Sequence, residues 1–288
     1  MNDPVDHLSS ADAAAVEALA AAATTTDGVS PFGEDFLLRL RGGDAVHWLI
    51  RDADALIGYA QLAPDGSSEL AVTPEYRRSG HGRALLDGVL ERRPDARVWS
   101  HGDLAAAREL GRARGMQVIR ELLVLGRPLG QDDSTAPTLP DGYRARPFVV
   151  GQDEDTLLAI NAAAFAHHPE QGRLDRDGLR ARMEQAWFDP SGLIFIEDEG
   201  GKPVAFHWTK VEDDASGTGE VYVVGVHPDA QGRGLGGPLT ALGLAHLAGR
   251  GLRDVILYVE GDNTPALATY ARAGFTRRAV HVMYALGD

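Results

Sequence analysis

The chain has 288 residues, with 42 acidic against 28 basic side chains, a formal net charge of −14 and no cysteine. The acidic balance disfavours nucleic acid and anionic membranes as partners, because both bind through basic patches, and the absence of thiols excludes disulfides, thiolate metal ligands and cysteine nucleophiles. Hydrophobic residues make up 44% of the chain, enough for two cores of ordinary domain size, and no stretch is long and apolar enough to span a bilayer, so we expect a cytoplasmic protein.

The first predicted element is an alanine-rich helix over residues 13–23. Ser9 or Ser10 would cap it, with Asp12 in its opening turn. We do not expect this segment to be a signal peptide, because Glu17 interrupts it and acidic rather than basic residues precede it.

Hydrophobic patterning then predicts five strands in each half of the chain. In the first half these are 46–51, 56–62, 69–72, 96–100 and 117–126, and in the second half 192–198, 203–211, 219–227, 254–259 and 276–285. Between the halves, residues 127–141 are rich in Pro, Gly, Ser, Thr and Asp, as linkers are. We therefore predict an N-terminal domain of residues 1–130, a linker of 131–141 and a C-terminal domain of 142–288.

One combination of strand, glycine loop and helix occurs twice. The second copy has the loop Gln231-Gly-Arg-Gly-Leu-Gly-Gly-Pro238 and a helix to about Arg250, and the first has the loop Arg77-Arg-Ser-Gly-His-Gly-Arg83 and a helix over 84–90. An offset of 154 residues places Gly80 on Gly234 and Val72 on Val226. A repeat of this kind indicates two domains of one fold.

The order of these parts suits a pyrophosphate. A helix N-terminus that follows a tight loop directs unpaired backbone N–H groups and the positive end of the helix dipole at one point. The glycines at 234, 236 and 237 allow positive φ and a close approach of the backbone, and Pro238 lacks only an N–H that a first helical turn leaves unpaired. We therefore predict that the glycine loop and helix start of each copy form an anion-binding site, called the cradle below.

Other phosphate sites fit this loop less well. Gly232-x-Gly234-x-x-Gly237 matches the dinucleotide fingerprint, and Glu260 lies near the spacing of a ribose-binding acid. Residues 227–231, however, separate the strand from the first glycine, and the other copy keeps only Gly80-x-Gly82. Neither loop is followed by the Gly-Lys-Ser/Thr of a nucleotide triphosphatase.

At these residues the chain resembles the GCN5-related N-acetyltransferase family, whose hallmark is Gln/Arg-x-x-Gly-x-Gly/Ala after a splayed central strand. Further segments are similar to those of tandem members that acetylate the cysteine amine of cysteinyl-glucosaminyl-inositol to give mycothiol: Ala166-His-His-Pro-Glu-Gln-Gly172, Ala186-Trp-Phe-Asp-Pro190, Phe206-His-Trp-Thr-Lys210 and Gly219-Glu-Val-Tyr-Val-Val-Gly-Val226. The resemblance covers nearly the whole chain and is more specific in the C-terminal half. It implies an α/β (α+β) fold of two tandem domains, each a mixed, mostly antiparallel twisted sheet flanked by helices.

The resemblance implies acetyl-CoA as co-substrate, one per domain, and no metal. In the first domain the binding residues would be Leu70, Ala71, Val72, Arg77, Arg78, Ser79, Gly80, His81 and Gly82. In the second they would be Val224, Gly225, Val226, Gln231, Gly232, Arg233, Gly234, Leu235, Gly236 and Gly237, with Asn263, Thr264, Pro265, Ala266, Leu267 and Ala268 at the start of a later helix. The N–H groups of residues 224–226 would hold the thioester carbonyl, where a bulge frees donors from the strand ladder.

Forming an amide from a thioester requires a neutral amine, a polarised carbonyl and a proton for the leaving thiolate. An α-amino group titrates near about 8, well below lysine, so a modest base suffices. By resemblance, Glu220 is the general base and Tyr270 the general acid. A solvent-facing edge carboxylate and a core tyrosine are the simpler interpretations of these two residues.

The resemblance also implies acceptor contacts from Glu34, Asp175, Lys210 and Tyr258, together with Glu220. Carboxylates and a lysine suit an acceptor that is dense in hydroxyls. Asp175 competes with a capping role and with Asp177 on the same turn. His167, His168 and Glu170 suggest a metal site, but the sequence places no further ligand beside them.

The two copies differ where proton transfer would occur. The 154-residue offset places Glu220 on Gly66, and an offset of 159 residues places Tyr270 on Gly111. We therefore expect the first domain to bind acetyl-CoA or CoA without transferring the acetyl group. We expect a monomer that acts on a small thiol-sugar-polyol; acetylation of another small amine such as an aminoglycoside, and a non-catalytic acyl-CoA-responsive protein, remain alternatives.

Overall fold

The computed structural model describes residues 3–42, 44–166, 172 and 174–287. The chain forms two compact units, the first of Met1–Leu123 with Ala279–Asp288 and the second of Val124–Arg278. The α-helices of the described residues are α1 (Ser10–Asp27), α2 (Glu34–Arg39), α3 (His81–Arg92), α4 (Ala105–Ala113), α5 (Glu154–Ala164), α6 (Arg176–Met183), α7 (Gly236–Gly249) and α8 (Thr264–Arg272). The strands are β1 (Val46–Asp52), β2 (Ala55–Leu62), β3 (Ser67–Val72), β4 (Arg97–Ser100), β5 (Met116–Pro128), β6 (Arg144–Pro147), β7 (Leu193–Glu197), β8 (Pro203–Lys210), β9 (Thr218–Val226), β10 (Asp254–Glu260) and β11 (Thr276–Leu286).

In the first unit the strands follow the order β1-β2-β3-β4-β11. All neighbours pair antiparallel except β3 and β4, which pair in parallel. The predicted first helix is confirmed as α1, and Ser9 caps it in a reciprocal capping box with Asp12. The capping box satisfies backbone donors at both Ser9 and Asp12, which fixes where the helix begins.

Helices cover both faces of this first sheet. On one face α1 and α2 supply Val16, Leu19 and Phe36, which pack with Tyr59 and Trp99 of the strands. On the other face the residues of the core come from α3 and from alternate positions of the same strands: Leu85, Leu86, Val89, Trp48, Ala60 and Val98. This alternation along each strand is the signature of a sheet buried on two sides.

The second unit repeats this arrangement with the strand order β10-β9-β8-β7-β6. Within this order β9 and β10 pair in parallel, and β6 with β7, β7 with β8 and β8 with β9 pair antiparallel. Side chains of α5 and α6 pack on Phe206 and Trp208, whereas Leu239 of α7 packs on the opposite face, near Ala205, which directly precedes Phe206. The predicted fold of tandem domains with mostly antiparallel sheets flanked by helices is therefore confirmed.

The short elements α2 and β6 were not predicted, and Arg127 and Pro128, from the linker-like stretch 127–141, lie in β5. Two strands also cross the limits of the compact units: β5 is divided after Leu123 and β11 after Arg278. The first unit therefore includes the end of the chain, while the domain limits of 1–130 and 142–288 stay a prediction. Among the helices of the described residues, none is long and apolar enough to cross a membrane.

Candidate active site

The cleft of the second unit forms where β9 and β10 part. Their parallel pairing runs from Thr218 with Asp254 to Val221 with Leu257. Both strands continue, β9 to Val226 and β10 to Glu260, without further pairing of the described residues to each other. The edge of β9 that faces β10 is therefore open over its last residues, as expected of the splayed central strand that the family resemblance implies.

A bulge lies in β9, but its position differs from the prediction. The register between β8 and β9 shifts so that Trp208 pairs with Val223 and Thr209 with Val221, which leaves Tyr222 as the extra residue. The residues 224–226, predicted to be freed by the bulge, are regularly paired with β8. Divergence of β10, rather than a bulge, is what opens their other edge.

The glycine loop after β9 leaves space above the start of α7. Gly232 and Gly234 have φ values of +73° and +76°, which glycine adopts without strain. A Cβ atom added at Gly232, Gly234 or Gly237 would meet nothing within 4 Å. Gly236 and Gly237, which were also predicted to have positive φ, do not have it. Packing within the protein therefore does not require a glycine at 237, and the open space beside a helix N-terminus fits a pyrophosphate.

The first unit keeps the same loop conformation. Arg78 and Gly80 have φ values of +65° and +87° at the positions that match Gly232 and Gly234. Arg78 adopts this conformation although a side chain usually disfavours it. The two copies therefore share a backbone conformation as well as a sequence pattern.

Two of the arginines that were predicted to meet phosphate in the first unit already have acidic partners. Arg77 forms two hydrogen bonds of 2.7 Å with Asp27, and these raise the pKa of Arg77 above its usual range. Arg78 lies 2.9 Å from Glu109 in an exposed pair. In the second unit Arg233 has no hydrogen-bond or ion-pair partner among the residues that the structure describes. An added phosphate would meet a less compensated charge there.

Glu220 is the third residue of β9 and lies directly across from Lys210 of β8. The Lys210 side chain is 5% exposed, and its ammonium lies 2.7 Å from a carboxylate oxygen of Glu212. Tyr258 is the first residue of β10 beyond the parallel pairing and is 43% exposed. Three of the predicted catalytic and acceptor residues thus lie on neighbouring strands, near the point where β9 and β10 separate.

Tyr270 lies in α8, half-buried, with its ring 5.7 Å from that of Phe275. Burial raises the pKa of Tyr270 to about 12, so the phenol stays protonated over the neutral range. Its hydroxyl forms no hydrogen bond with any described residue. Asn263 caps α8 by accepting a hydrogen bond of 3.2 Å from the N–H of Ala266, so this helix start is ordered by its own side chain.

The other predicted acceptor residues are more dispersed. Asp175 is exposed and caps α6, where it accepts a hydrogen bond of 2.8 Å from the N–H of Gly178. Asp177 lies 3.8 Å from Arg180. Glu34 opens α2 in the first unit. The residues of the considered metal site, His167, His168 and Glu170, lie outside the described residues.

The first-unit positions that match the proposed base and acid are glycines with close neighbours, and Gly66 also has a φ of +88°, which disfavours a side chain there. A Cβ atom at Gly66 would lie 2.8 Å from the guanidinium carbon of Arg93, and one at Gly111 would lie 3.3 Å from the ring of Tyr284. A contact that no local sequence pattern indicates lies nearby: buried Glu69 is 2.8 Å from Nε2 of His101 and accepts a hydrogen bond of 2.9 Å from the N–H of Gly33. That contact joins β3 to the start of α2.

An aromatic cluster in the second unit was also missed. Trp187 lies 5.9 Å from Trp208 and 5.2 Å from Tyr222, measured between ring centroids. The Lys210 ammonium lies 5.0 Å from the centroid of the Trp187 ring. The segment 186–190 was noted only as part of the family resemblance, and the bulge that turns Tyr222 toward Trp187 has no local sequence signal.

Comparisons with known proteins agree with this geometry. A family model described as "Acetyltransferase (GNAT) family" matches residues 156–275, and one described as "Acetyltransferase (GNAT) domain" matches residues 43–115. Among solved structures, a GCN5-related N-acetyltransferase from Sphaerobacter thermophilus superposes with a TM-score of 0.68 at 24% identity, covering 98% of this chain and 94% of that one. A tandem GNAT protein from the clavulanic acid biosynthesis pathway gives a TM-score of 0.71 at 18% identity, covering 98% and 96%. At these identities the likeness establishes the fold.

Sequence relatives are much more similar. A mycothiol acetyltransferase from Thermomonospora curvata is 50% identical, covering 97% of this chain and 95% of its own. Proteins of the same name from Catenulispora acidiphila and Kytococcus sedentarius are 48% and 46% identical, with coverage of 96% and 96%, and of 97% and 95%. The chain therefore belongs to the mycothiol acetyltransferase family and is an acetyl-CoA-dependent N-acetyltransferase built from tandem GNAT domains.

Proposed function

We propose that this protein transfers the acetyl group of acetyl-CoA to the cysteine amine of cysteinyl-glucosaminyl-inositol, giving mycothiol. The observation that carries the proposal is the cleft of the second unit. It has a pyrophosphate cradle at the Val226 end of β9 and Glu220, beside Lys210, at the other end of the same strand. Relatives that share about half of its residues over nearly their full length bear the corresponding name.

The reaction proceeds by direct attack in a ternary complex. Glu220 accepts a proton from the acceptor ammonium, directly or through one water, and the neutral amine attacks the thioester carbonyl carbon. Backbone N–H groups of residues 224–226 hold the carbonyl oxygen while it carries negative charge. The first proton passes from Glu220 to solvent, so that Glu220 can accept the second N–H proton as the C–S bond breaks and the amide forms. The CoA thiolate leaves beside Tyr270 and is protonated from solvent.

Tyr270 acts on that thiolate chiefly by donating a hydrogen bond. Its pKa is raised to about 12 by burial, whereas an ordinary thiol titrates near about 8.5. Complete proton transfer from the phenol to the thiolate is therefore uphill. A hydrogen bond from an unpaired hydroxyl still stabilises the charge as the bond breaks, so the contribution of Tyr270 is modest in size.

The acceptor is held by contacts to its hydroxyls. Lys210 and Tyr258 contribute from the strands beside Glu220, and Asp175 and Glu34 complete the set. The first unit holds a second acetyl-CoA or CoA in its own cradle and does not turn it over, because it lacks counterparts of Glu220 and Tyr270. The enzyme works in the cytoplasm as a monomer.

The direct test is release of CoA from acetyl-CoA in the presence of a panel of amines. The panel contains cysteinyl-glucosaminyl-inositol, cysteine methyl ester and an aminoglycoside. The proposal expects the highest kcat/KM for the first. Preference for the aminoglycoside would assign a different acceptor, and absence of release with every amine would favour a binding protein.

A further inference from the structure

A cavity of about 320 Å³, open to solvent, lies in the second unit, and its lining includes the two residues that follow Lys210 in the chain. Its walls include Trp187, Phe188, Asp189, Pro190, Glu212 and Arg250. The chain passes from Lys210 at the end of β8 directly into this wall, and Lys210 is also the cross-strand neighbour of Glu220. The cavity is therefore adjacent to the proposed base and has the size of a small-molecule site.

One wall of the cavity is aromatic and firmly held. Trp187 packs on Trp208 and Tyr222, and Phe188 packs edge-on against Trp208 with a centroid distance of 6.0 Å. Trp208 is 1% exposed, so this support belongs to the core. Rings that are fixed in this way give the mostly polar cavity a rigid apolar border at little entropic cost.

The remaining walls are polar, and the charges on them are largely balanced. Asp189 accepts hydrogen bonds of 2.9 Å and 2.6 Å from the N–H and hydroxyl of Ser191, and lies 3.6 Å from a guanidinium nitrogen of Arg250. Glu212 is paired with Lys210 at 2.7 Å. Hydrogen-bond donors and acceptors are thus both present: Asp189, Glu212 and Arg250 line the cavity, and Lys210 balances the charge of Glu212 from the end of β8.

We infer that this cavity binds the hydroxyl-bearing rings of the acceptor, with Trp187 and Arg250 as specificity-determining residues. A sugar or cyclitol ring combines an apolar C–H face with a rim of hydroxyls, which matches an aromatic wall bordered by donors and acceptors. Because the charges nearly cancel, the cavity suits a neutral polyol better than the polycation that an aminoglycoside would present. The inference rests on the proposed function and deepens it.

The inference separates two parts of the acceptor. The cysteine amine lies at Glu220, while the rings extend past Lys210 toward Trp187. Neither Trp187 nor Arg250 touches the reacting atoms, so their replacement should weaken recognition of the rings and leave the acetyl transfer itself intact.

The test compares two acceptors in the full-length enzyme, cysteinyl-glucosaminyl-inositol and cysteine methyl ester, which has the amine and no ring. We expect Trp187→Leu and Arg250→Met each to lower the ratio of their kcat/KM values by at least about tenfold, through a higher KM for the ring-bearing acceptor. The KM for acetyl-CoA and the rate with cysteine methyl ester should be unchanged. Arg277→Met, at an exposed position of β11, is the matched control and should leave the ratio unaltered.

Two results would overturn the inference: an equal loss for both acceptors, or no change in the ratio in either variant. The Arg250 variant keeps the test decisive if loss of Trp187 prevents folding. Failure of the proposed function has a different signature, because the unaltered enzyme would then show no preference for cysteinyl-glucosaminyl-inositol over the ester.

Discussion

Arg77 and Gln231 make the same contact in the two units. The side chain of each donates a hydrogen bond to the carbonyl oxygen of the last residue of the preceding strand, at 3.1 Å to Val72 and 3.3 Å to Val226. The contact fixes the turn between strand and glycine loop, which explains why a long donor side chain stands at this position in both copies. Only Arg77 has a further partner, Asp27 at the end of α1.

Arg77→Gln should therefore keep the loop and lose the tie to α1. We expect the free energy of unfolding of the full-length protein to fall by about 1–2 kcal/mol, because a bidentate, partly buried ion pair contributes more than an exposed one. Urea unfolding of the two proteins measures this. Arg78→Gln is the control, since its pair with Glu109 is exposed; an equal loss in both variants would show that the Asp27 pair has no special role.

Acetyl-CoA binding can be divided between the two cradles with a matched pair of variants. Gly82 and Gly236 occupy equivalent positions at the helix starts, and an added Cβ atom has no contact closer than 3.8 Å at either. We expect Gly236→Val to abolish turnover and Gly82→Val to preserve it, with each variant losing one bound equivalent by calorimetry.

Binding to the first cradle should also protect the fold. A ligand at a hundred times its dissociation constant stabilises a protein by about 2.7 kcal/mol. The stabilisation due to ligand in the first cradle should be absent in Gly82→Val. If the unaltered protein binds a single equivalent and Gly82→Val still binds one, the first cradle is a structural remnant.

Glu220→Gln should lower kcat by roughly 10² to 10⁴ and leave acetyl-CoA binding intact, because the amide can position the amine but cannot accept its proton. Steady-state rates measure the change in kcat, and calorimetry measures acetyl-CoA binding. Glu199→Gln, at an exposed turn between β7 and β8, is the control. A kcat that equals the parent value throughout the neutral and mildly alkaline range would remove Glu220 from the mechanism.

Tyr270→Phe should lower kcat by a smaller factor, about tenfold, with the KM for acetyl-CoA unchanged. Because the pKa of Tyr270 is raised to about 12, its deprotonation contributes nothing to the pH profile near neutrality. The variant should therefore have a lower kcat, and the shape of its kcat–pH profile on the alkaline side should be the same as that of the parent. Single-turnover experiments measure the step directly, and equal rates for variant and parent would reduce Tyr270 to a packing residue.

Acid should destabilise the second unit through His207. This side chain is fully buried, its Nδ1 lies 2.9 Å from the carbonyl oxygen of Leu239, and burial lowers its pKa from 6.5 to about 4. Between these two pKa values the unfolded chain binds a proton at His207 and the folded chain does not. The contribution of neutral His207 to the free energy of unfolding is therefore full above pH 6.5 and is lost as the pH falls toward 4.

Urea unfolding as a function of pH checks this expectation. Between about pH 6.5 and pH 4, His207 should make the free energy of unfolding fall by up to about 1.4 kcal/mol per pH unit. His207→Gln should flatten it, whereas replacement of the exposed His7 should not. An unchanged slope in His207→Gln would assign the acid sensitivity to other groups.

Local features of this protein were predictable from sequence. The cap of α1 and the glycine loops depend on residues within a few positions of one another, and they appear where expected. The helices α1 and α3 are also present, but each begins three residues earlier than predicted, at Ser10 and His81. Asp175 shows a local ambiguity that the structure clarifies in part, since it does cap α6. Its contact with the acceptor stays a prediction.

Non-local features were not predictable. The bulge at Tyr222 arises from the register between β8 and β9, which no short segment determines. The partner of Arg77 is 50 residues away, and the buried pair of Glu69 and His101 joins positions 32 residues apart. Such contacts depend on how strands and helices meet, so a single sequence gives little indication of them.

The division of β11 has a consequence for biosynthesis. Ribosomes release the N-terminal residues first, yet the first unit lacks a strand until Ala279 and the residues after it have been made. The second unit is contiguous from Val124 to Arg278 and can close earlier. During translation the first unit should therefore remain incomplete, with an unpaired edge at β4, until β11 has been made. The second unit should fold first, which reverses the usual N-to-C order of domain folding.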